Sequence, residues 1–155
     1  MTQAVATGTS TSLVGARRVA EVATGYLAAV MTVGVIVQVF LAGMGVFGLD
    51  GADVEKASSL DPHRTLGNVL GIVAILVLLT ALAARRSWVV MLTAFVLAVL
   101  TEAAQHGLAS AGNDHSWAGG LHAADGLLIL GLAAWLAVPV WRRVGFCGLR
   151  REARR

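Results

Sequence analysis

Apolar residues run in four long blocks along the chain, near residues 24–47, 62–84, 88–109 and 117–140, and the polar residues gather between them. Each block holds roughly the 20 mostly apolar residues that an α-helix needs to cross about 30 Å of hydrocarbon. The pattern predicts an all-α integral membrane four-helix bundle. The second block has a readable start, because Asp61 can cap and Pro62 suits the first helical position with its fixed φ and absent N–H. Ser87 stands where a cap for the third helix belongs. Pro139 removes one backbone donor near the end of the fourth, a loss tolerated at a helix terminus.

Composition points the same way. Of 155 residues, 57% are apolar and 14% charged, against roughly 45–50% and about 25% in soluble domains. Mean hydropathy is +0.75. The net charge of +3 comes from basic residues at the ends of the apolar blocks, which reads as membrane topology and not as affinity for nucleic acid. Arg17, Arg18, Arg85, Arg86, Arg142, Arg143, Arg150, Arg151, Arg154 and Arg155 fall on one side, against Lys56 and Arg64 on the other. Both termini are therefore expected in the cytoplasm, with the connections at 50–61 and 110–116 outside, in a multi-pass protein of the inner (plasma) membrane of a bacterium. Trp88, Trp117 and Trp141 fall near the expected interfaces.

The first block exceeds the 7–15 apolar residues of a cleaved signal. It is read as an uncleaved helix behind a disordered cytoplasmic lead, residues 1–16, with the transmembrane domain over 17–143 and a basic cytoplasmic tail over 144–155. The single cysteine, Cys147, excludes a disulfide within the chain.

Two hairpins repeat one another. His63 with Gly67 matches His122 with Gly126, Gln38 with Leu41-Ala42 matches Gln105 with Leu108-Ala109, and Gly45 matches Gly112. A duplicated hairpin packs about a pseudo-two-fold along the membrane normal, which would set His63 and His122 facing one another across the bundle.

The polar side chains within the blocks share the outer leaflet: Gln38, His63, Asn68, Glu102, Gln105, His106, His122 and Asp125. Ionisable groups inside a span cost roughly 2.5–3.5 kcal/mol on insertion scales and so normally face a bundle interior or cavity. His63 and His122 lie at similar depth, which suits two axial ligands from different helices on one iron, as in a b-type haem. Gly67 and Gly126, one turn on, clear space on the same helix faces. Arg64 is placed to pair with a haem propionate. Glu102 and His106, four residues apart, share a face and form a candidate proton relay. His106 is also a candidate third ligand to a non-haem metal such as zinc or copper. Asp125 is a candidate partner of His122 or Arg64.

His63-Arg64 followed by Gly67, with a second histidine early in the fourth helix, resembles one four-helix half of the haem A synthase family, where histidines on alternate helices ligate haem. Leu60 stands where that family has an acidic residue. Over about residues 17–143 the chain also resembles small four-span bacterial membrane proteins of unknown function, through Gln38–Gly43 and Leu121-His122.

These features lead to an expected bis-histidine haem protein of the outer leaflet, exchanging electrons with a quinol or an outer-face redox protein, or sensing or handling haem. The alternatives are a non-haem metal protein and a cofactor-free membrane subunit or assembly factor, in which the polar cluster is a hydrogen-bond network. Phosphate loops, nucleophile elbows, Cys-x-x-Cys pairs and zinc-protease motifs do not occur.

Overall fold

The computed structural model describes residues 5–48 and 58–143. Helix α1 spans Val5–Phe47. A short 3-10 turn, Ser58–Leu60, leads into α2, Asp61–Ala83. The third crossing is α3, Trp88–Val99, a π-helical turn, Leu100–Ala104, and α4, Gln105–Gly112. Helix α5 covers Ser116–Arg143. Four stretches are long and apolar enough to cross a membrane: Leu13–Phe47, Ser58–Ala83, Trp88–Gly112 and Ser116–Arg142.

Several boundaries differ from the sequence expectation. The first helix is already formed at Val5, so much of the stretch read as a disordered lead continues α1. Asp61 is inside α2 and not its cap, a place that Leu60 takes; there its carboxylate receives the Arg64 guanidinium at 2.9 Å and complements the helix dipole. Ser87 is the N-cap residue of α3 but makes no side-chain capping bond. Lys56, Cys147 and the tail over 144–155 lie outside the described residues.

The crossings pack as a ring. The first touches the second and fourth, and the third touches the second and fourth, which leaves the first opposite the third and the second opposite the fourth. The core is built of small and medium side chains, among them Ala28, Met31, Ala74, Val77, Leu97 and Ala133. Outward-facing Val33, Ile36, Phe40, Leu79, Phe95 and Leu128 are exposed. An apolar exterior around a small-residue core is what contact with lipid acyl chains requires.

The duplication holds in the burial pattern. Four of the five buried positions of α2 match a buried one 59 residues later in the fourth crossing, Leu70 with Ile129, Ala74 with Ala133, Val77 with Leu136 and Ala81 with Val140, the exception being Gly71, which matches half-buried Leu130. In the first and third crossings the offset is 66 through Ala28 with Ala94, Met31 with Leu97 and Val35 with Thr101, then 67 at Gln38 with Gln105 and Gly45 with Gly112. The π turn lies between those two registers. It absorbs one extra residue, so helix on both sides keeps the face it has in the first crossing.

Near the turn of each hairpin, glycine lets the helices meet. A Cβ at Gly112 would lie 3.2 Å from the backbone of Gly119, and one at Gly45 would run into the Leu60 side chain. Leu60 and Gly119 are themselves equivalent at the offset of 59.

Candidate functional site

The site begins with two glutamine–histidine exchanges, one per hairpin. The Gln38 amide Nε2 donates to the His63 carbonyl at 2.8 Å, and His63 Nδ1 lies 3.1 Å from the Gln38 carbonyl. In the second hairpin Gln105 Nε2 donates to the His122 carbonyl at 3.0 Å, and His122 Nδ1 lies 3.2 Å from the Gln105 carbonyl. The connection in the first hairpin is longer, with partners 25 residues apart against 17, yet the exchange is the same. Because a carbonyl only accepts, Nδ1 carries the proton in both rings and Nε2 keeps its lone pair.

His63 and His122 come from opposite crossings and meet at the bundle axis, with ring centroids 6.2 Å apart and planes inclined at 69°. They border a cavity of about 170 Å³ that Gly67, Gly126, Leu70 and Ile129 also line. The two glycines serve the glutamines as well. A Cβ at Gly67 would stand 3.0 Å from Gln38 Nε2 and one at Gly126 would stand 3.9 Å from Gln105 Nε2.

The halves differ in how the amides are completed. Gln105 Nε2 also donates to Asp125 Oδ2 at 2.9 Å, whereas Leu66 occupies the position equivalent to Asp125. Gln38 Oε1 is buried and has no hydrogen-bond partner among the described residues. Asp125 thus pairs with Gln105, a partner the sequence reading did not assign, since only the fold brings α4 against α5. Arg64 lines the cavity and bonds Asp61.

The Glu102–His106 pair takes a different form from the one expected. His106 Nδ1 donates to the Glu102 backbone carbonyl at 2.8 Å, and His106 Nε2 lies 3.4 Å from Asn68 Oδ1. The Glu102 carboxylate packs instead against Gly71, where a Cβ would collide with it. Glu102 lies within the π turn, and its carboxylate takes the space that Gly71 leaves open. Among the described residues no group of three or more His, Cys, Asp or Glu side chains is arranged to hold a metal ion. His106 lines the same cavity as His63 and His122.

Fold and site together define a multi-pass membrane four-helix bundle with a paired-imidazole centre at its axis. A model of a family of unknown function, DUF6220, matches residues 38–112, a stretch that contains both glutamines, His63, Glu102 and His106 and ends before His122. No curated protein and no solved structure matches the chain. The expected likeness to haem A synthase finds no support among these comparisons.

Proposed function

We propose that the chain is a b-type haem protein in which His63 and His122 would hold the iron. The observation that carries this reading is the imidazole pair itself. The ring centroids lie 6.2 Å apart with the planes inclined at 69°, near enough for both imidazoles to serve one metal, given ligand bonds of about 2.0–2.1 Å. Both rings donate Nδ1–H to a backbone carbonyl, the second bond by which ligating histidines are normally oriented. Two ligands and no third suit a macrocycle, which supplies the remaining four donors. The buried, unpartnered Gln38 Oε1 beside the cavity speaks against a self-contained hydrogen-bond network, because buried acceptors are seldom left unmatched.

When bound, such a haem supplies one-electron chemistry. The protein's own part is to fix the rings, exclude water with Leu70, Val35 and Ile129, and offer Arg64 at the outer rim to a propionate. With a single histidine pair in one leaflet, the exchange is with a donor or acceptor on that side. The arginine distribution supports a reading with this leaflet outside and both termini in the cytoplasm.

The test is an absorbance spectrum of the detergent-purified protein expressed with haem supplied, oxidised and then reduced with dithionite. Sharp reduced α and Soret bands that vanish in His63→Ala and His122→Ala are expected. A featureless visible spectrum overturns the proposal. One copper per chain by elemental analysis would then favour a two-coordinate metal centre, and neither haem nor metal would favour a structural subunit.

A further inference from the structure

The duplicated architecture accounts for the histidine centre, but one flank of the molecule breaks the symmetry. Between the second and third crossings stand Asn68, Gly71, Glu102 and His106. The positions equivalent to Asn68, Gly71 and His106 hold Leu127, Leu130 and Val39, and Glu102 belongs to the π turn that the first crossing lacks. One half of the protein thus carries polar chemistry that the duplication does not explain.

This flank communicates with the histidine centre. The cavity that holds His63 and His122 is also lined by Asn68, His106 and Ala109, and those three residues are exposed at the outer face of the bundle. The cavity therefore opens sideways between the second and third crossings, and Glu102 and Gly71 stand beside it, one helical turn from the lining residues His106 and Gly67. Glu102 is ten residues from the end of α4 at Gly112, about 15 Å along the helix, near the middle of a hydrocarbon layer about 30 Å thick. What reaches it comes from the lipid phase.

The chemistry of the opening is that of acceptors waiting for donors. Glu102 is exposed, and its carboxylate has no hydrogen-bond or ion-pair partner among the described residues. With Nδ1–H given to the Glu102 carbonyl, a neutral His106 has no proton to give the Asn68 Oδ1 that lies 3.4 Å from Nε2, so the two stand side by side as acceptors. An intramembrane carboxylate without a partner is costly, and an O–H donor from a lipid-soluble molecule relieves that cost.

We infer that the opening between Asn68, Gly71, Glu102 and His106 binds the head group of a lipid-soluble hydroquinone, whose hydroxyls donate to the Glu102 carboxylate and His106 Nε2. Gly71 is glycine because the carboxylate occupies the space of its side chain, and the π turn turns Glu102 toward it. The choice of a hydroquinone over another lipid-soluble hydroxyl compound rests on the haem proposal, since it stands beside the histidine centre; the opening itself does not depend on haem.

The experiment measures binding of decylubiquinol to the full chain in lipid nanodiscs by anaerobic calorimetry, on wild type, Glu102→Gln, His106→Leu and the double variant His63→Ala/His122→Ala. Saturable binding of one ligand per chain is expected. Loss of a charge-assisted hydrogen bond in Glu102→Gln, or of a neutral one in His106→Leu, weakens it by about tenfold. Binding of decylubiquinol by a wild type that shows no visible bands refutes the haem proposal and leaves the opening intact, and binding by the double histidine variant supports the opening without haem. Absence of saturable binding to the wild type overturns the inference. So does equal binding by Glu102→Gln and His106→Leu, or a change of oligomeric state in Glu102→Gln without ligand binding, which would make this flank a contact between copies. Retention of the wild-type thermal unfolding midpoint by both single variants separates lost binding from lost folding.

Discussion

His63 and Gln38 hold each other twice, ring nitrogen to carbonyl and side-chain amide to carbonyl, and His122 and Gln105 repeat the arrangement 59 and 67 residues later. The anchors of the two imidazoles are thus backbone carbonyls, which no side-chain substitution removes. The glutamine amides tie the hairpins together and differ in their further partners.

That difference predicts unequal costs. Gln38→Leu removes one donated bond together with an unsatisfied acceptor, and interhelical bonds of this kind average about 0.6 kcal/mol. Gln105→Leu removes two bonds and leaves Asp125 without its donor, so it is expected to cost about 1–3 kcal/mol. Reversible unfolding in mixed micelles with increasing dodecyl sulfate compares them. Equal losses would mean that the Gln105–Asp125 bond does not contribute.

The π turn makes a deletion testable. Removing Ala103 closes Leu100–Ala104 into an ordinary α-turn and gives the third crossing the register of the first, so the core faces of α3 and α4 both stay inward. Stability within about 1 kcal/mol of wild type is expected. Removing Val96 instead rotates one side of α3 by about 100° relative to the other, taking buried Leu97 or Val90 and Ala94 out of the core at a cost of about 2–5 kcal/mol. Equivalent behaviour of the two deletions in the same unfolding assay would show that the π turn is not the site of the extra residue.

The orientation proposed from the arginines is open to labelling. In a chain freed of its single cysteine by Cys147→Ser, Asp114→Cys in the turn before α5 is expected to react with a membrane-impermeant maleimide in intact cells. Ser87→Cys, in the turn between α2 and α3 beside Arg85 and Arg86, is expected to react only after permeabilisation. The reverse pattern would invert the orientation proposed from the positive-inside rule.

Length and hydropathy of the apolar blocks determined the four crossings, because a helix in lipid must satisfy its backbone internally and needs little from its neighbours to do so. The spacing of Gln38, His63, Gln105 and His122 likewise carried the hairpin duplication and the meeting of the two histidines, since equivalent residues in repeated hairpins are brought to equivalent places. The sequence could not show that the Glu102 carboxylate leaves His106 for Gly71, or that Asp125 serves Gln105. Those contacts depend on one residue absorbed by a π turn and on which crossing lies beside which, and both are settled by packing between helices rather than by the period of any one of them.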